Sequence, residues 1–209
     1  MLKDCGPLSV VLSLNSKLLN TKLKTMKAFV LLANGFEDIE AVAPIDILRR
    51  GGVDVKTVSI TESTDVESSH GIPMKADTTI GKADFENGDA LILPGGYPGY
   101  KNLGESAAVG KVLKEFYSKG KLVGAICAAP TVLAANGVAE GATVTCHSCA
   151  VETMEARYNY VGGDVVSDRN LITAVGAGLS IDFGLELLAA LTNEATVEKV
   201  KKGMELTIG

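Results

Sequence analysis

From Lys27 onward, short β-branched or wholly apolar runs alternate with stretches whose apolar residues recur every three or four positions. That alternation is the signature of βαβ units wound around a mainly parallel sheet. Ala28 to Leu32 is continuously apolar, as a strand buried on both faces requires. The next segment predicts a helix, with Glu37 and Asp38 in its first turn and Ile39, Val42, Ile45 and Leu48 at three-residue spacing. Arg49 and Arg50 suit its last turn and Gly51 its end. Pro44 should kink this helix or split off its first turn. Val53 to Ile60 predicts a second strand, Thr61 to Ser69 a polar loop, and Gly71 to Ala76 a short strand. Ala90 to Leu93 reads as a buried strand running into Pro94-Gly95-Gly96. Ser106 is expected to cap a helix with Val109, Val112, Leu113 and Phe116 on one face. Leu122 to Ile126 predicts the next strand, and Pro130 stands near the first turn of a following helix. Ala142 to Thr145, Asp164 to Val166 and Leu171 to Val175 predict the remaining strands. Ser180 is expected to cap a helix with Ile181, Leu185 and Leu188 facing the core.

Residues 1–25 break this pattern. Lys3, Lys17, Lys22 and Lys24 face a single acid, Asp4, and the apolar run there is interrupted by Ser13, Asn15 and Ser16. Organellar presequences are basic and acid-poor in the same way, whereas a secretory signal needs a longer apolar stretch and a cleavage site. The favoured reading is an ordinary extension, or a start assigned upstream of Met26. One domain is expected over 26–209, since 209 residues suit one domain plus an appendage. An apolar content of 46% supplies a sizeable core. A net charge of −5 speaks against nucleic acid as the partner, and no apolar run approaches the roughly 18 residues of a membrane span. Four cysteines without a repeating framework fit a reducing compartment, the cytoplasm, better than a disulfide scaffold.

The most informative stretch is Val123-Gly124-Ala125-Ile126-Cys127-Ala128-Ala129-Pro130. A buried strand runs into a tight turn of small residues and then into a proline-started helix. A nucleophile elbow is built this way: small neighbours permit a strained turn that lifts the reactive atom out of the carboxyl end of the sheet. The helix amino terminus should lower the thiol pKa and offer N–H groups to an oxyanion. On this segment alone, a small buried cysteine is an equally good account of Cys127.

Four ordered motifs shift that balance. Ala125 to Pro130 resembles the cysteine turn of the DJ-1/ThiJ/PfpI superfamily, closest to its DJ-1/YajL-like branch. Gly35-Phe36-Glu37-Asp38-Ile39-Glu40, Leu93-Pro94-Gly95-Gly96 with Asn102 to Ser106, and Gly176-Ala177-Gly178 before Ser180 resemble further family segments in the same order. The resemblance spans about Met26 to Leu206. It implies a flavodoxin-like three-layer α/β sandwich, a mainly parallel central sheet flanked by helices. It maps a buried acid beside the cysteine onto Glu40, and that carboxyl should keep its proton and donate it to a thiolate. It maps an active-site histidine onto His147, as general base or orienter, although Ser148 stands where the family has proline. Backbone N–H groups of Gly96 and Ala128 are implied around the sulfur. His70 stands where many relatives carry an anion-binding arginine. Ala177 replaces the usual proline of the Gly-Pro-Gly motif.

The activity so implied is cysteine-dependent, cofactor-independent chemistry on 2-oxoaldehydes such as methylglyoxal or on early glycation adducts, giving 2-hydroxy acids. The alternative is an oxidative-stress sensor or redox-regulated chaperone working through a Cys127 sulfinate. A peptidase or thiazole-biosynthesis role rests on family names alone, and Ala128, standing where the peptidase-like branch has its triad histidine, argues against a peptidase. Cys146-His147-Ser148-Cys149 lacks a second pair to complete a zinc site, and two ordinary thiols are favoured over a reversible disulfide. A homodimer is implied through the helix that carries the glutamate. No metal or cofactor is called for.

Overall fold

The computed structural model describes residues 24–206, so of the extension read over residues 1–25 all but the last two residues lie outside the described residues. In chain order the elements are β1 (Lys27–Leu32), α1 (Asp38–Arg50), β2 (Asp54–Ser59), β3 (Asp65–Glu67), β4 (Pro73–Lys75), β5 (Thr78–Thr79) and β6 (Ala90–Leu93). There follow α2 (Gly99–Glu105), α3 (Ala107–Ser118), β7 (Leu122–Ile126), α4 (Pro130–Asn136), β8 (Thr143–Val144), α5 (Val151–Glu155) and β9 (Asn159–Tyr160). The chain ends in β10 (Val165–Asp168), β11 (Leu171–Ala174), α6 (Ser180–Leu191) and α7 (Glu194–Gly203).

Seven strands form the central sheet in the order β10-β11-β7-β6-β1-β2-β5. All neighbours run parallel except β10, which returns antiparallel to β11. The strict two-residue period of a strand divides each one between two cores. Phe29, Leu31, Leu91, Leu93, Val123 and Ala125 face α3, α4 and α5 through Val109, Leu113, Phe116, Val132 and Met154. Ala28, Val30, Leu32, Ala90 and Ile92 face α1, α6 and α7 through Ile45, Leu48, Phe183, Leu188 and Val197. This is the flavodoxin-like α/β sandwich. Strand order reverses between β1 and β6, so the crevice for a ligand opens at the carboxyl ends of the central strands. Among the described residues, no helix is long and apolar enough to cross a membrane.

Several expectations are corrected. Helix α1 runs unbroken through Pro44, which lies against α6, where Gly184 lets the two helices approach closely. Its inward face is Ala41, Pro44, Ile45, Ile47 and Leu48, while Ile39 and Val42 are 54% and 50% exposed. The three-residue spacing therefore tracked two faces of one helix. The segment expected as loop from Thr61 to Ser69 contains β3, paired antiparallel with β4. Ser180 is the first residue inside α6 rather than its cap, with its hydroxyl buried and without a hydrogen-bond partner among the described residues, and Ile181 is on the outside. Helix α7 lies beyond the elements expected from the pattern. Asn193 starts it by accepting from the Thr196 N–H, and Val197 and Val200 bury it.

Candidate active site

Cys127 follows β7 and precedes α4 with φ = +64°, a backbone region that costs a non-glycine residue about 1–3 kcal/mol. Two main-chain bonds hold it there. Its N–H donates to the Ala174 carbonyl of β11 (2.9 Å), and its carbonyl accepts from the His147 N–H (2.8 Å). Pro130 occupies the first turn of α4, where no backbone donor is lost. The side chain stays half-buried, packed against the edge of the α1–α6 core.

Glu40 reaches the same point from the first turn of α1. It is only 1% exposed, and its Oε2 accepts from the Gly95 N–H at 2.8 Å. Glu37 starts the helix: its side chain accepts from the Glu40 N–H (2.8 Å), and its own N–H donates to the Gly95 carbonyl (3.0 Å). Gly95 is the residue that sequence reasoning missed. A Cβ there would lie 2.7 Å from Glu40 Oε2 and 2.8 Å from the Cys127 Cβ, so only glycine leaves room for acid and thiol to meet. The signal was the Gly95-Gly96 pair, of which reasoning singled out only the second. Gly96 adopts φ = +88°, and a Cβ on it would come within 2.3 Å of the Glu37 nitrogen.

The electrostatics differ from the sequence expectation of a lowered thiol pKa. Burial first, then the charge of Glu40 and its hydrogen bond, push the Cys127 thiol up to about 12. The N–H groups of Ala128 and Gly96 pull the other way without prevailing. Burial likewise raises the Glu40 carboxyl to about 7, helped by the nearby Glu37 and opposed by the hydrogen bonds to Cys127 and Gly95. The two groups titrate as a unit: below about pH 7 both are protonated, and above it they share one proton. The helix terminus alone does not ionise this sulfur; the acid beside it decides where the proton sits.

His147 lies at the rim, exposed, with its ring edge near Gly176. Its Nδ1 accepts from the Cys149 N–H at 3.2 Å, which makes the neutral ring an Nε2–H donor. His70 is also exposed and bonds Asp38 Oδ2 at 2.6 Å, with its pKa raised by that bond. It sits over the start of α1 rather than against Cys127. Glu37, Asp38 and His70 place one ligand atom each within 4.8 Å of one another, although Glu37 and His70 already have protein partners. Of the CxxC pair, Cys146 is buried and Cys149 exposed, and both are free thiols.

The DJ-1/PfpI family model matches residues 26–190. Protein dj-1beta of Drosophila melanogaster is 37% identical over 178 residues, covering 85% of this chain and 95% of that protein. Glutathione-independent glyoxalase DJR-1.2 of Caenorhabditis elegans is 35% identical over 156 residues, covering 74% of this chain and 82% of that one. The crystal structure of Drosophila melanogaster DJ-1beta matches with a TM-score of 0.86 at 35% identity, covering 88% of this chain and 100% of the other. The family match runs from the first strand into α6 and takes in every side chain gathered around Cys127, and on that ground the chain belongs to the DJ-1/PfpI family.

Proposed function

We propose that this protein converts 2-oxoaldehydes such as methylglyoxal, free or as early glycation adducts, into 2-hydroxy acids without a cofactor. The observation that carries the reading is the carboxyl of Glu40, buried and set beside Cys127 across Gly95, with the Gly96 and Ala128 N–H groups near the same sulfur. The name of the Caenorhabditis elegans relative points the same way.

The chemistry follows from the shared proton. The Cys127 sulfur bonds to the aldehyde carbon while its proton passes through Glu40 to the carbonyl oxygen, leaving a hemithioacetal. The Gly96 and Ala128 N–H groups face the charge that develops there. Glu40 then takes the proton from the former aldehyde carbon, and the His147 Nε2–H donates to the neighbouring ketone oxygen as the enediol forms. Reprotonation at that second carbon gives a thioester, and water releases the 2-hydroxy acid and the free thiol. The aldehyde carbon is oxidised and the ketone carbon reduced, so no outside oxidant enters. Lactate formed from methylglyoxal by wild type and by Cys127→Ser tests this directly. Activity retained in the serine variant refutes it.

A second reading rests on the same donors. Two N–H groups and a protonated Glu40 would hold the oxygens of a Cys127 sulfinate, formed with two equivalents of peroxide and release of two waters. Intact mass after mild peroxide distinguishes it by a gain of two oxygens on Cys127. A reducing cytoplasm suits a reactive thiol, and Ala128 beside the cysteine leaves no triad histidine for a peptidase. The protein pairs with a second copy through α1, where Ile39 and Val42 stand outside the core.

A further inference from the structure

A cavity of about 390 Å³ is lined by Asn34, Gly35, Glu67, Ser68, Ser69, Tyr97 and Pro98. It adjoins the reacting centre through Gly96, whose Cβ position lies 2.5 Å from the Gly35 carbonyl oxygen and whose N–H serves the cysteine sulfur. The acetyl methyl of methylglyoxal is too short to extend into it; a larger substituent on the same carbon would have to go somewhere, and this space lies beside the site.

Its chemistry has a sign. The Glu67 backbone is pinned on both sides, its N–H to Asn34 Oδ1 (3.0 Å) and its carbonyl to the Gly35 N–H (2.8 Å). Its carboxylate has no hydrogen-bonding or ionic partner among the described residues. On the same cavity stands Tyr97, 66% exposed, whose ring already carries the Lys101 ammonium 5.0 Å from its centroid. An aromatic face and a free carboxylate across a small cavity recognise a cation. Of the neighbouring cations, Lys101 is engaged on Tyr97 and His70 on Asp38, while Lys75 stands on the far side of Glu67, towards Met74.

We infer that this cavity is a subsite for the substituent of the 2-oxoaldehyde beyond its two reacting carbons, and that Glu67 and Tyr97 select a positively charged substituent over a negatively charged one. The inference rests on the reaction proposed above. A partly exposed ion pair and one cation–aromatic contact together amount to a preference of about tenfold.

The test compares 4-(trimethylammonio)phenylglyoxal with 4-carboxyphenylglyoxal. Wild type is expected to favour the cation in kcat/KM by about tenfold, with the ratio falling towards one in Glu67→Gln and in Tyr97→Ala. Because the measure is a ratio, partial misfolding of a variant cancels. A wild-type ratio near one, or an unchanged ratio in Glu67→Gln, overturns the inference. A second measurement does not need turnover: benzyltrimethylammonium, titrated against the full chain by NMR, should shift the Gly35, Ser69 and Tyr97 amides saturably, and benzoate should not. Equal shifts from both, or none from the cation, also overturn it. A wild type that turns over neither aldehyde yet shows the cation-specific shifts sinks the glyoxalase reading and keeps the subsite.

Discussion

At the scale of single residues, the site is a contest over one proton. Below about pH 7 both Glu40 and Cys127 are protonated and the sulfur has no base, so activity on methylglyoxal is expected to rise with pH through about 7. Glu40→Gln should remove that limb from the pH–rate profile and lower kcat by about 10²–10⁴-fold. The same carboxyl has a cost in stability. The folded chain holds its proton up to about 7, whereas an unfolded one releases it near the usual 4.5. The native state therefore binds more protons between these values, and stability falls as pH rises through that window. Relative to Glu40→Gln, wild type should lose up to about 3 kcal/mol between pH 4.5 and pH 7, measured by denaturant unfolding at both. Stability that tracks that of the variant across the window would mean that the Glu40 carboxyl titrates alike in the folded and unfolded chain.

At the scale of elements, α1 and the turn after β6 decide where acid and thiol meet. Gly184→Ala on α6 would place a Cβ 2.7 Å from Ile47 Cδ1 and 3.1 Å from the Pro44 Cα, forcing α1 outward. Overpacking of this kind costs about 1–3 kcal/mol, and because α1 carries Glu40, kcat should fall with it. Loss of stability with undiminished kcat would show that the position of α1 is not critical. Most of this layer was legible in the sequence, because buried parallel strands announce themselves as unbroken apolar runs and the cysteine turn by its small residues. What was not legible depended on partners far along the chain. Ile39 and Val42 read as core because spacing cannot tell an inner face from an outer one on a helix apolar on both. The three-stage brace Glu37–Gly95–Glu40 joins segments more than fifty residues apart, and local pattern shows only its ends. The pKa of Cys127 was misjudged for the same reason: the helix terminus is local, whereas the burial and the neighbouring acid that outweigh it come from folding.

At the scale of the whole molecule, the two exposed aliphatic side chains on α1 bear on assembly. If a second copy covers Ile39 and Val42, Val42→Asp should turn a dimer into a monomer in light scattering at micromolar concentration, with the monomer still folded by circular dichroism. A wild type that is monomeric at every concentration would remove the dimer. The route into the site makes one further distinction. Glu40 is fed from one half of the sheet and Cys127 from the other, so their meeting depends on the whole β1–β6–β7 centre and not on either half.

The left-handed backbone of Cys127 works as a latch that is closed from outside. Nothing in the residue itself favours φ = +64°; the Ala174 carbonyl and the His147 N–H hold its own peptide groups, and the Ala129 N–H on the Ile126 carbonyl closes the turn around it. The His147 strut belongs to an exposed rim segment rather than to the core, and such segments open at a fraction of the free energy of global unfolding. Once it lets go, the backbone would relax and swing the sulfur off its acid while every strand stays paired. Heat should therefore extinguish turnover several degrees below the temperature at which the secondary structure melts, and reversibly so.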